Sequence, residues 1–192
     1  MLYVNPLPPF PESREGSVSR LSAPGAIKMS RAYIGMGSNQ GERFTQLKRS
    51  LEMLKRQRSI TVSSVSPVYE TEPVGGPPQG LFLNACCALT TTLSPVLLLR
   101  SLLEVEAALG RIRRRHWGPR TLDLDLLLYD CLVMNTPVLT LPHPRLKERL
   151  FVLAPLFDIA PNLALPGEKR TLSEIKASLP SCGVKLYKEN WI

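Results

Sequence analysis

Two aspartates, Asp123 and Asp125, lie in the stretch Arg120-Thr-Leu-Asp-Leu-Asp-Leu-Leu-Leu-Tyr129 and alternate with Leu122, Leu124 and Leu126. That alternation predicts a strand with both carboxylates on one face and the leucines on the other. Side chains two apart on a strand stand roughly 7 Å from each other, a spacing at which two carboxylates can share one or two hard cations and leave room for a ligand's oxygens. Magnesium suits such a pair, because it keeps several waters and takes one or two carboxylates alongside substrate phosphates. Asp is a poor strand former, so two in one strand point to a purpose other than folding. Taken alone, the D-x-D reads equally well as a half-exposed strand with a wet acidic face.

The segment just upstream, Gly110 to Arg120, gathers five arginines with His116 and Trp117. This is more positive charge than two aspartates need, and arginine forks match phosphate oxygens two at a time. A metal-bound polyphosphate satisfies both halves of the arrangement, although a basic run by itself is more commonly a solvated loop.

The wider composition narrows the partners. With 192 residues, 44% of them hydrophobic, the chain suits one domain with a substantial core. Its net charge of +8 favours anionic partners such as nucleotides, phosphorylated metabolites or nucleic acid. The cysteines Cys86, Cys87, Cys131 and Cys182 form no C-x-x-C, and only His116 and His143 offer imidazoles, so neither a zinc site nor a disulfide framework is indicated. No apolar run approaches the roughly 20 residues of a membrane helix, and the opening segment lacks the apolar stretch of a secretory signal. The expected setting is a reducing cytoplasm.

The elements that must position these groups follow from periodicity and punctuation. Residues 1–28 hold five prolines and no apolar period, which predicts a disordered extension and makes Met29 a candidate start. The expected domain spans 29–180, and 181–192 reads as a tail. Tyr33 to Met36 reads as a strand ending in a Gly37-Ser38-Asn39 turn. A helix over about 41–56 follows, with Phe44, Leu47, Leu51 and Leu54 at helical spacing. Ile60 to Tyr69 reads as a strand, 71–80 as a loop and Phe82 to Thr91 as a strand. Ser94-Pro95 opens a helix that stops at Gly110. After the aspartate strand come a hairpin over 132–141, a helix near 146–157 and a short one at 172–179. The order β-α-β-β-α-β predicts an α+β, ferredoxin-like sandwich with an added hairpin and C-terminal helices. RNA-recognition modules share that order, but they need stacking aromatics on the central strands, where Tyr33 and Phe82 make a thin platform.

Six blocks follow one another along the chain: Tyr33-Ile-Gly-Met-Gly-Ser-Asn39, Ser64 to Pro73, Phe82-Leu-Asn-Ala85, Leu109-Gly-Arg through Trp117-Gly-Pro-Arg-Thr-Leu-Asp-Leu-Asp125, Leu141-Pro-His-Pro-Arg145 and Arg149 to Leu156. Together they resemble the 6-hydroxymethyl-7,8-dihydropterin pyrophosphokinases of folate biosynthesis, over roughly residues 31–165. The resemblance implies transfer of pyrophosphate from ATP, with two magnesium ions, to the hydroxymethyl group of the reduced pterin, with release of AMP. It implies small-molecule substrates, no nucleic-acid or membrane partner, and a monomer. Carried over by position, it implies that Asp123 and Asp125 hold the metals and act with Arg111 and Arg120 in catalysis. Glu106, Arg113, His116, Leu126, Thr140, His143 and Arg149 would border the nucleotide. Thr71, Val74, Phe82, Asn84, Trp117 and Phe151 would form the pterin pocket, with aromatic faces for the flat ring and the Asn84 amide for its edge.

His116 departs from the commonest pattern, in which arginine precedes the tryptophan, and histidine is only partly charged near neutral pH. Contact between His116 and phosphate predicts nucleotide affinity that rises as pH falls; a dissociation constant that stays flat from about pH 8 to about pH 6 would refute that contact.

Overall fold

The computed structural model describes residues 28–112, 118–180 and 183–192. Five strands of the central sheet and its first two helices run in the order β1 (Ser30–Ser38), α1 (Arg43–Lys55), β2 (Ile60–Val65), β3 (Val68–Thr71), β4 (Phe82–Thr91), α2 (Pro95–Ala108) and β5 (Asp123–Tyr129). They are followed by the hairpin β6 (Met134–Asn135) and β7 (Thr140–Leu141), helices α3 (Leu150–Ile159) and α4 (Leu172–Ala177), and strand β8 (Val184–Lys188). In space the sheet reads β5-β1-β4-β3-β8, with β2 also on β4, and every pairing is antiparallel. This is the ferredoxin-like βαββαβ arrangement, its second strand divided in two.

Strand alternation decides which side chains meet which layer. Ala32, Ile34, Met36, Leu83, Ala85, Cys87 and Leu89 turn to one face, where they bury Leu47, Leu51 and Leu54 of α1 and Leu98, Leu102 and Val105 of α2. Tyr33, Cys86 and Ala88 turn to the other face and meet Leu153 and Leu156 of α3, with Leu172 and Ile175 of α4. Two hydrophobic cores therefore sandwich one sheet. The helix signals hold: the Ser94 hydroxyl accepts from Leu97 N, Pro95 opens α2, and Gly110 takes φ +79° just beyond its end.

Four expectations need correction. The strand read over 60–69 breaks at Ser66-Pro67, where proline has no N–H to give, although Ser66 still exchanges bonds with the Cys86 backbone at 2.9 Å. Its second half runs on to Thr71, which therefore sits on β3 rather than in the following loop. Gly37 belongs to β1, not to a turn, because the strand continues to Ser38. The helix read over 146–157 is a 3-10 turn at Leu146–Glu148 and then α3, separated by Arg149 in an extended conformation.

The reading of 181–192 as a tail is corrected too, because the segment after residue 183 supplies an edge strand. Strand β8 pairs Val184 with Thr71 and Leu186 with Tyr69. Beyond it, Trp191 is buried, donates its indole N–H to Ser66 O at 2.8 Å and lies 5.8 Å from the Phe44 ring. Losing a buried aromatic that also satisfies a backbone carbonyl costs about 3 kcal/mol. Trp191→Ala is therefore expected to lower the melting temperature by about 6–12 °C in a thermal unfolding scan.

Candidate active site

Registration of three neighbouring strands makes the floor. Asp123 of β5, Gly37 of β1 and Asn84 of β4 stand in one row, and Asp125, Gly35 and Cys86 in the next, all on the second face. The glycines leave the middle of each row without a side chain. A Cβ on Gly37 would stand 3.2 Å from Asn84 Oδ1 and 3.8 Å from Asp123 Cβ, and one on Gly35 would meet a Leu127 methyl at 3.4 Å. Helix α3 covers the rows beyond these and begins only after Arg149, so this end of the face lies open as a cleft of about 810 Å³.

Charges converge on the acidic side of that floor. Arg111 bridges Glu106 and Asp123, and Arg120 pairs with the second oxygen of Asp123 while lying 5.7 Å over the Phe82 ring. Glu106 is 3% exposed and accepts from Leu124 N at 2.7 Å, which ties α2 to the start of β5. Burial, together with the negative charge of Asp123, pushes the Asp125 carboxyl up to about 7, against the pull of Arg149 and Arg111. The Arg149 guanidinium lies 5.5 Å over the Phe151 ring. His143 Nδ1 accepts from Arg145 N at 3.2 Å, so the neutral ring carries its proton on Nε2. Burial first, and then Arg149, hold that ring below the usual imidazole range.

On the opposite side the Asn84 amide donates to Thr71 Oγ1 at 2.8 Å, which leaves Oδ1 beside Gly37. Asn39 stitches the flanking loops together. Its Oδ1 accepts from Arg120 N at 2.8 Å, and its Nδ2 donates to Gln79 Oε1 at 2.9 Å and Gly80 O at 3.3 Å. Among the described residues no group of three or more His, Cys, Asp and Glu side chains is placed to hold a metal. Asp123 and Asp125 fit instead a hard cation that also draws on ligand oxygens and water.

Of the expected site residues, Arg113, His116 and Trp117 lie outside the described residues. The rest border one cleft: Asp123, Asp125, Glu106, Arg111, Arg120, Leu126, Thr140, His143 and Arg149 with Thr71, Val74, Phe82, Asn84 and Phe151. Two of them differ from the simplest expectation. Leu126 borders the cleft while its side chain belongs to the first core, and Glu106 meets the floor through Arg111 and Leu124 N. Sequence reasoning missed Gly35 and Gly37 as floor, Asn39 as the link between loops, and Gln79 and Arg145 as lining. The only signal for the glycines was their alternation with Ile34 and Met36 on β1.

A family model described as 7,8-dihydro-6-hydroxymethylpterin-pyrophosphokinase matches residues 33–161. The chain is 44% identical over 157 residues to the 2-amino-4-hydroxy-6-hydroxymethyldihydropteridine pyrophosphokinase of Methylorubrum extorquens, covering 82% of this chain and 98% of that one. The enzyme of the same name from Bacillus subtilis is 43% identical, with 82% and 90% covered. The folic acid synthesis protein fol1 of Schizosaccharomyces pombe is also 44% identical, but the match spans only 21% of its length. Among solved structures, a wild-type Plasmodium falciparum HPPK-DHPS superposes with a TM-score of 0.63 at 12% identity, over 78% of this chain and 44% of the other; the fold is what they share.

Glu106 is the buried acid on which Arg111 and the amide of Leu124 depend, and removing one partner of such an arrangement leaves the others unsatisfied. Glu106→Ala is expected to lower unfolding free energy by about 3 kcal/mol in urea titrations, and Glu106→Gln by about half as much, because the amide oxygen can still accept from Leu124 N.

Proposed function

Because the chain belongs to the 7,8-dihydro-6-hydroxymethylpterin-pyrophosphokinase family, we propose that it moves the pyrophosphoryl group of ATP onto the hydroxymethyl oxygen of 6-hydroxymethyl-7,8-dihydropterin and releases AMP. The observation that carries this reading is the row Asp123, Gly37, Asn84, in which an acid and an amide face each other across a bare strand. A flat ring over that gap finds the Asn84 carbonyl at its edge and Phe82 and Phe151 beside the same cleft.

The hydroxymethyl oxygen attacks the β-phosphorus, the bond from that phosphorus to the α,β-bridging oxygen breaks, and the electron pair leaves with AMP. The hydroxyl proton passes to water or to a carboxylate of the site, Asp123 being a candidate. Arg111, Arg120, Arg149 and the Nε2–H of His143 hold the triphosphate, so that its middle phosphorus meets the acceptor in line. Arg111 and Arg120 both already pair with Asp123 through Nη1, and Arg120 Nε donates to Gly118 O at 3.3 Å, so their Nη2 groups can turn toward phosphate without leaving it. The described segments beside the cleft, 72–81, 109–112 and 118–122, help to exclude water that would otherwise take the transferred group. Asp123 and Asp125 would hold magnesium, which would supply positive charge to the phosphoryl oxygens; two ions are the number this reading takes.

The remaining assignments belong to the same reading. The partners are ATP and the reduced pterin, the chain acts as a monomer, and nucleic acid is not a ligand. In support, Tyr33 is 7% exposed beneath α3, on the face where an RNA-recognition module displays its stacking aromatics. No described helix is long and apolar enough to cross a membrane. Cys86, Cys87 and Cys131 are free thiols, which suits a cytoplasmic setting.

The direct test is incubation with ATP, magnesium and the reduced pterin, which is expected to yield AMP without ADP. Asp123→Ala and Asp125→Ala are each expected to abolish turnover with little change in circular dichroism, and near-normal rates in either variant would remove the metal assignment. The raised Asp125 pKa adds a sign. Below about pH 7 the free site binds a proton at Asp125, which a dication must displace. Magnesium affinity measured by calorimetry in the presence of a non-hydrolysable ATP analogue is expected to weaken about tenfold per unit as pH falls below that point. It should be level above it, and Asp125→Asn should remove the slope.

A further inference from the structure

The cleft is lined from above by the loop that leaves β3 after Thr71 and returns at Phe82, and both ends of that loop are gripped by one residue that never reaches the cleft. Arg43, the first residue of α1, donates from Nη2 to Glu70 Oε1 at 2.8 Å and from Nη1 to Leu81 O, also at 2.8 Å. Glu70 is the last residue before Thr71, and Leu81 the last before Phe82. Strand alternation turns Glu70 to the face opposite Thr71, so Arg43 acts from behind the sheet.

We propose that Arg43 is a positioning residue for the pterin side of the site. By holding Glu70 and the Leu81 carbonyl in one guanidinium fork, it keeps the last rung of the ladder, Thr71 opposite Phe82, from opening into the loop. This rests on the reading of the cleft given above. Thr71 Oγ1 accepts the Asn84 amide at 2.8 Å and Phe82 lines the same wall, so fraying of that rung releases two of the groups that would meet the pterin. A planar fork makes both bonds at once in a fixed geometry, whereas a lysine ammonium in its place offers a point charge on a flexible stem and holds the two partners less firmly.

Thr71 is also anchored by Val184 of β8 and by the Asn84 amide, but neither of these reaches Leu81 at the other end of the loop, as Arg43 does. Asn39 holds Gln79 and Gly80 toward Arg120, on the cleft side. Between the two attachments, residues 72–78 include Gly75 and Gly76 at φ +73° and +79°, and the exposed Val74. Nothing in that arm ties Thr71 to Phe82. The side chains of Arg43 and Glu70 are 27% and 28% exposed, so the pair adds little to global stability, and its effect is local.

The test compares Arg43→Ala, Arg43→Lys and Glu70→Gln with the wild-type chain. Arg43→Ala is expected to raise the pterin KM about tenfold while the ATP KM stays within about twofold and the melting temperature within about 3 °C. Arg43→Lys should fall between. Backbone amides of 70–73 and 81–84 should exchange with deuterium faster in Arg43→Ala than in the wild type, while those of β1 and β5 are unchanged. An unchanged pterin KM with unchanged exchange would overturn the proposal, as would a loss in which both KM values and the melting temperature move together. The exchange measurement needs no substrate, so a wild-type chain that makes no AMP would sink the functional reading while the exchange data still decide whether Arg43 holds the loop.

Discussion

The site depends on the registration of β5 and β4 against the two glycines of β1. Gly37 faces Asp123 on one side and Asn84 on the other, so a slip of one residue would turn both partners into the helix-packed core. Nothing in the floor is flexible enough to compensate, because the opposite face is filled by Ile34, Met36, Leu83, Leu122 and Leu124 against α1 and α2. The chemistry is thus held by packing that lies behind it. An ordinary hydrophobic sandwich fixes the distance between an acidic wall and an amide wall, and the gap between them is where glycine has no side chain.

The charges follow from this geometry. Three carboxylates, of Glu106, Asp123 and Asp125, stand close enough to arginines that most of the negative charge is already answered: Arg111 serves two of them and Arg120 one. Asp125 is the exception. Its carboxyl is shifted upward because burial and Asp123 outweigh Arg149 and Arg111, and a divalent ion beside it would offset both. The same surroundings lower His143, so the cleft contains groups moved in opposite directions by a shared cause, the scarcity of water.

The legible parts were those in which a local pattern carries the information. The phase of Asp123 and Asp125 was readable because leucines alternate with them, and α2 because Ser94, Pro95 and Gly110 mark its ends. Most of the arginine, nucleotide and pterin assignments came from the order of sequence blocks and not from periodicity. What stayed hidden depends on distant partners. Asn39 meets Gln79 and Arg120, which are 40 and 81 residues away, and no local pattern announces such a bond. Gly37 looked like a turn because glycine usually breaks strands, yet here it permits a close approach between them. Strand β8 escaped notice because it is an edge with four of its five residues exposed, and its alternation has no buried face to record.

The irregular pairing of β5 has a further effect. Ile34 faces Leu126 but Tyr33 faces Leu128, so Leu127 is an additional residue that lets Leu127 and Leu128 both enter the second core, and Tyr129 then returns to the first. Tyr129 is held at its far end by its own hydroxyl bond to Leu93 O at 2.6 Å. The bulge works as an expansion joint: the two halves of the strand are seated independently, so a lost or gained residue between Leu126 and Tyr129 would be absorbed there without rotating the acids. The same change between Asp123 and Leu126 has no slack to take it up and would turn at least one of the acids away from the cleft.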